Sequence, residues 1–129
     1  YIMELTPRGG GNRLCEMLRY ATGVDLITAI TRAMVGDDPG VVKQKPYDGH
    51  WAEIILHADK SGIFQRLEVD ATLNAEVVEE DLWVKPGDLV HGFEGANDAI
   101  GTLVLRFENS SELERNLQKL DKWISVIVK

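Results

Sequence analysis

The chain has 129 residues, 44% of them hydrophobic and 27% charged, enough to bury a core as one domain or as a domain plus a fragment. Its formal charge of −7, from 21 acids against 14 bases, argues against general nucleic-acid binding, which needs a basic patch. No apolar run approaches membrane-spanning length, no signal-type leader opens the sequence, and the single Cys15 excludes an internal disulfide, so a cytoplasmic place with no membrane partner is expected.

Tyr1 is not an initiator methionine, and an extended run begins abruptly there. The sequence is therefore expected to be a piece of something longer, cut inside a strand whose edge needs covering. The run Ile2-Met3-Glu4-Leu5-Thr6 carries one acid, turns at Pro7, offers Arg8, and passes through Gly9, Gly10 and Gly11 toward Asn12, a candidate helix cap. These parts suit a polyanion. Glycines let backbone N–H groups close on a ligand, a helix start adds unpaired donors and a positive dipole end, and a guanidinium forks onto carboxylate or phosphate. The plainer alternative is a strand-to-helix turn with Arg8 as a surface charge.

Leu14, Met17, Leu18 and Ala21 fall on one helical face, and Thr22-Gly23 ends that helix. Cys15 lies beside this face and reads as a small buried hydrophobe. Asp25 caps a second helix with the stripe Leu26, Ile27, Ile30, Ala33 and Met34, closed by Gly36. From Asp37 to Asp48 the chain turns to acids, Pro39, Gly40, lysines and Pro46, which marks a loop or boundary. The expected division is 1–38, a strand, a glycine-rich turn and two helices, and 39–129, a small β-rich subdomain.

Trp51 to Ala58 and Ile63 to Val69 read as strands joined by Asp59-Lys60-Ser61-Gly62 into a hairpin. Glu76 to Val84 is a further strand, and Lys85-Pro86-Gly87-Asp88 is a turn. His91 to Ala99 is a loop in which Glu94, Asn97 and Asp98 read as turn formers, and Gly101 to Phe107 is again a strand. Ser111-x-x-Glu114 has capping-box spacing before a helix with Leu113, Leu117 and Leu120 buried. The β-branched run from about Trp123 closes the chain as a strand. The fold class is α+β: two short helices after an opening strand, then an antiparallel β-rich subdomain with one late helix.

Glu4-Leu5-Thr6-Pro7-Arg8-Gly9-Gly10-Gly11, followed by Tyr20-Ala21-Thr22-Gly23-Val24-Asp25-Leu26, resembles the C-terminal portion of ATP-grasp ligases, the superfamily of carbamoyl phosphate synthetase, biotin carboxylase and many amino-acid ligases. The family wording is a strand ending in Glu-x-Asn-x-Arg, a glycine-rich stretch, a helix, and Ala-Thr-Gly-x-Asp-Leu. Weaker echoes continue at Ser61-Gly62, Lys85 to Asp88, Ile100-Gly101 and Ser110-Ser111-Glu112. The resemblance implies activation of a small-molecule carboxylate as an acyl phosphate with ATP and Mg2+, then attack by an amine or other nucleophile.

By the same resemblance Glu4 is the acid bridging magnesium to the phosphates, Arg8 is the catalytic clamp on carboxylate and phosphoryl group, and Gly9, Gly10 and Gly11 contact substrate. Thr6 stands where the family commonly has a metal-ligating asparagine, and a hydroxyl is the poorer ligand. The nucleotide-binding lobes would precede Tyr1, so the chain is expected to be inactive alone, with those lobes as its partner; homo-oligomerisation is left open. The alternative class is a non-enzymatic module: Val84-Lys85-Pro86-Gly87-Asp88-Leu89-Val90 resembles the turn wording of biotinyl and lipoyl barrels, although no modified-lysine motif follows. A general interaction domain is the third reading. His50, His57 and His91 have no metal-ligand spacing, Trp51, Trp83 and Trp123 read as core or half-buried sheet residues, Glu79-Glu80-Asp81 as a solvated patch, and Asp37-Asp38 as a pair that could bind a cation but that a loop beside Pro39 explains as well.

Overall fold

Leu14–Thr22 (α1) and Leu26–Met34 (α2) are the two helices anticipated after the glycine turn. They are seen in a computed structural model that describes residues 10, 11, 13–43 and 45–129. The opening strand expected at residues 2–6 and the cap expected at Asn12 lie outside the described residues. The chain divides into two units, Tyr1–Asp48 and Gly49–Lys129.

In the first unit α1 begins at Arg13, which occupies the cap position with φ 62°, and ends at Gly23, φ 70°, whose N–H donates to the Arg19 carbonyl. Cys15, Ala21 and Thr22 are its buried residues, so Cys15 is the small buried group its position predicts. Asp25 caps α2 as expected, its side chain accepting from the Thr28 N–H. The apolar stripe of α2 behaves differently: no residue of this helix is buried. Asp38 closes a local turn in the following loop by accepting from the Gly40 N–H at 2.9 Å, the loop reading of its two alternatives.

The second unit comprises His50–His57 (β1), Gly62–Val69 (β2), Ala71–Asn74 (α3), Val77–Leu82 (β3), Leu89–Val90 (β4), a 3-10 turn at Ala96–Asp98, Ala99–Phe107 (β5), Ser110–Leu117 (α4), Leu120–Trp123 (α5) and Ile124–Val128 (β6). The strands form two antiparallel sheets, β1-β5-β3 and β4-β2-β6. β5 is the middle strand of its sheet and is buried at almost every position, which is why its sequence is nearly continuously apolar rather than alternating. Leu103 and Leu105 lie opposite Ile54 and Ala52 of β1. Leu56, Phe64, Val90, Ile100 and Leu103 make one core cluster, and Leu73, Leu105 and Phe107 a second, packed by Leu113, Leu120 and Trp123. Each such fully buried side chain contributes about 1.5–3 kcal/mol by leaving water.

The hairpin expected across Asp59–Gly62 is not formed. β1 pairs with β5, and β2 pairs with β4 and β6, so the turn carries the chain from one sheet to the other. A parallel bridge between Ala58 and Gly92, with the Phe93 N–H donating to the Ala58 carbonyl at 3.0 Å, holds the end of β1 against the returning chain. Gly62 allows close approach of the chain end to β2, since a Cβ on it would lie 2.9 Å from the Lys129 carbonyl oxygen.

The late helix differs at both ends. Its cap is Asn109, whose side chain accepts from the Glu112 N–H, rather than a Ser111–Glu114 box. It stops at Leu117, and Leu120 belongs to the separate turn α5. Leu113 and Leu120 pack into the core as expected, whereas Leu117 is 38% exposed. The closing strand begins at Ile124, in agreement with its β-branched sequence. The short α3, capped by Asp70 through the Thr72 N–H, was not anticipated, and it inserts fully buried Leu73 into the core.

Candidate functional site

Glu4, Thr6, Arg8 and Gly9 lie outside the described residues. Gly10 and Gly11 are described, and they differ. A Cβ on Gly10 would come within 2.6 Å of Leu14 Cδ2, whereas one on Gly11 would meet nothing within 4 Å. Gly10 therefore lets the chain pass over the first residue of α1, and Gly11 leaves its own surroundings open. The Gly11 carbonyl accepts from the Leu14 N–H at 3.2 Å, joining the turn directly to the helix.

Arg13 is the residue the sequence reading missed. It enters α1 in left-handed backbone geometry, which is uncommon for a residue with a Cβ and costs energy that its surroundings must supply. Its carbonyl accepts from the Glu16 and Met17 N–H groups at 2.9 and 3.2 Å. Its Nε lies 3.5 Å from Glu16 Oε1. The Arg13–Glu16 pair thus stands at the positive end of the α1 dipole, which favours the Glu16 carboxylate.

The Ala21 to Leu26 segment has a mechanical explanation. The Thr22 hydroxyl donates to the Leu18 carbonyl at 2.7 Å and accepts from the Val24 N–H at 3.2 Å, while the Thr22 carbonyl accepts from the Lys45 N–H at 2.9 Å. Gly23 takes the left-handed turn, and the Lys45 stem crosses where its side chain would be, with Cδ at 2.8 Å. Asp25 then accepts from both the Thr28 N–H and the Thr28 hydroxyl at 2.9 Å. The backbone hydrogen bond from Thr28, then its hydroxyl, holds the Asp25 carboxyl below its ordinary range. A cleft of about 200 Å³ lies between this junction and the Pro39–Lys43 stretch.

In the second unit a cleft of about 340 Å³ is lined by Ile54, Leu56, Leu120, Ile124 and Val126 together with His57, Asp59 and Asp121. His57 stacks on Phe93, ring centroids 4.5 Å apart, which is a packing role. Among the described residues no group of three His, Cys, Asp or Glu side chains is placed to hold a metal ion. Asp98 accepts from the Glu94 and Gly95 N–H groups, both at 2.9 Å, so it shapes the 91–98 loop as a turn former. Of the tryptophans, Trp123 packs into the core, Trp51 is half-buried in β1, and Trp83 departs from expectation at 49% exposed, with Nε1 donating to Asp81 Oδ2 at 2.8 Å. The Lys85–Asp88 turn is tied down by the Gly87 N–H on the Phe64 carbonyl and the Phe64 N–H on the Asp88 carbonyl. Among the described residues no helix is long and apolar enough to cross a membrane.

No family model matches the chain, and no curated protein matches it in sequence. Solved structures do. The chain is similar over 100% of its length to phosphoribosylglycinamide synthetase from Anaerococcus prevotii, with a TM-score of 0.72 and 25% identity. It is also similar over 100% of its length to L-amino acid ligase from Bacillus licheniformis, with a TM-score of 0.64 and 16% identity. Both of those proteins are ATP-grasp enzymes. The chain spans 34% and 33% of the two, about a third of their length.

Proposed function

From the premise that this chain has the fold of part of an ATP-grasp enzyme, we propose that it is the C-terminal segment of an ATP-dependent carboxylate ligase, in a protein that converts a carboxylate to an acyl phosphate and passes the acyl group to an amine or other nucleophile. The observation that carries this is the similarity of the chain, over its whole length, to a third of each of two such enzymes. The junction from Ala21 to Leu26 supports it, because that stretch both carries the family wording and sets the turn from α1 to α2.

In this proposal Arg8 clamps the substrate carboxylate and the phosphoryl group, and Gly9 to Gly11 bring backbone N–H groups to the same anion. Glu4, with Thr6 as a weaker neighbour, offers the hard oxygen that suits magnesium, which when bound with ATP offsets charge between the phosphates. The lone thiol of Cys15, buried and without a disulfide, suits a cytoplasmic protein.

The test is ATP-dependent phosphate release. The 129-residue chain alone, given ATP, magnesium and a panel of amino acids, is expected to release none. Substituted for the corresponding third of the A. prevotii synthetase, it is expected to support release that depends on an added carboxylate, and hydroxylamine is expected to intercept the acyl phosphate as a hydroxamate with phosphate leaving. Arg8→Ala is expected to lower that rate by about 100-fold or more, the scale on which one aimed transition-state donor acts. Release by the isolated chain, or hydroxamate formation indifferent to Arg8, overturns the assignment.

A further inference from the structure

The two units bury apolar surface very unequally. In the second, Phe64, Leu73, Leu103, Leu105 and Phe107 are at most 1% exposed. In the first, the buried apolar residues among those described are Cys15, Ala21 and Val24, each 8–9% exposed, and α2 has none. Helices of nine residues are too short to persist on intrinsic propensity and depend on a packed face. Yet α2 turns Ile27 and Met34, seven residues apart on one face, outward at 45% and 82% exposure, with Val35 at 69% just beyond its end. Val41 and Val42 on the returning loop add exposures of 92% and 58%. Single exposed apolar residues are ordinary, whereas several on one short segment mark a surface that is covered in the working protein.

We propose that this α2 face is an internal seam, covered by the ATP-grasp lobes that make up the other two thirds of the architecture. This rests on the ligase-segment proposal above. The occupant follows from length. The chain spans about a third of each of two structures whose fold it matches end to end, so a polypeptide about twice its size shares that architecture and has to adjoin it somewhere. The second unit has its own core clusters built from both sheets. The first is the unit whose amphipathic helix leaves Ile27 and Met34 open beside half-buried Leu26 and Ile30, and covering them would complete the burial that α2 lacks.

Methionine oxidation tests this without altering the face. In the isolated chain, hydrogen peroxide is expected to convert Met34 to its sulfoxide readily, because oxidation follows exposure. With the chain in place of the corresponding third of the A. prevotii synthetase, Met34 oxidation, read on its peptide by mass spectrometry, is expected to slow by about tenfold or more. A Val78→Met control, at a position 45% exposed on β3, should oxidise at similar rates in both. Sedimentation of the isolated chain is expected to show a monomer.

Equal Met34 oxidation in a chimera that binds ATP overturns the seam while leaving the ligase proposal standing. A dimer of the isolated chain that Met34→Lys dissociates also overturns it, with a second copy as the occupant. A soluble chimera that binds ATP through its lobes, protects Met34 and yet forms no hydroxamate upholds the seam and sinks the ligase proposal instead.

Discussion

The Asp25 carboxylate receives both donors of Thr28, the N–H on Oδ1 and the hydroxyl on Oδ2, each at 2.9 Å. This pair starts α2 immediately after the Thr22-Gly23 turn, and it favours the ionised form of Asp25. A carboxyl whose folded pKa lies below its ordinary 3.8 contributes stability that is fully present above 3.8 and is lost as pH falls through the folded value. The α2 amides of Thr28 and Ala29 are therefore expected to lose hydrogen-exchange protection when pH is lowered below that point. Asp25→Ala should show the same loss at neutral pH, and Asp25→Ser should restore most of it. Unchanged protection in Asp25→Ala would remove the cap from the account of α2.

The contact between β5 and β3 leaves no room for a side chain at position 101. Gly101 faces the backbone of β3 so closely that a Cβ would strike the Asp81 carbonyl oxygen and lie 3.1 Å from Leu82 Cα. Backbone atoms held in a strand ladder cannot swing aside as a flexible side chain does. Gly101→Ala is expected to destabilise the second unit by about 1–3 kcal/mol, the range for forcing extra volume into a packed site. Urea denaturation followed by tryptophan fluorescence measures it, and a midpoint equal to that of the parent chain would show that β3 yields freely.

How far such features were legible beforehand varies with the kind of information they need. The two helices of the first unit, the run of β5 and the closing strand at Ile124 follow from local periodicity and residue shape, and all are present. Strand partners depend on competition across the whole chain. The Asp59–Gly62 cluster specifies where two strands end, but the long apolar β5 takes β1 as its neighbour, and β2 is left to pair with β4 and β6. At the candidate site the glycines were legible as a class, while their division of labour was not. Whether a Cβ meets Leu14, as at Gly10, or open space, as at Gly11, depends on the path of the helix that follows. Arg13 was overlooked because its left-handed entry is a backbone property that side-chain chemistry does not announce.

Core substitution should separate the two classes of apolar residue that composition lumps together. Leu103 is 0% exposed at the centre of β5, and Leu103→Ala is expected to cost about 2–5 kcal/mol through lost burial and the cavity left behind. Met34 is 82% exposed, and Met34→Ala in the isolated chain is expected to change stability by no more than about 0.5 kcal/mol. Thermal melts of the two variants give the comparison. A large loss from Met34→Ala would mean that α2 already buries this side chain.

The start of α4 offers the sharpest contrast between two sequence signals. Asn109 Oδ1 accepts from the Glu112 N–H at 2.9 Å and stands in the extended backbone conformation a cap residue takes. Ser111, which with Glu114 has the spacing of a capping box, lies inside the helix, where its hydroxyl is not at the capping position. Asn109→Ala is thus expected to cost about 1 kcal/mol, while Ser111→Ala is neutral or slightly stabilising because alanine is the better interior residue. Asn109→Asp should keep the cap, since its carboxylate accepts the same N–H and lies at the positive end of the helix dipole. Chemical denaturation of the three variants orders them. If Ser111→Ala is the costly change and Asn109→Ala the silent one, the helix begins two residues later, and Leu113 must then reach the core by a different route.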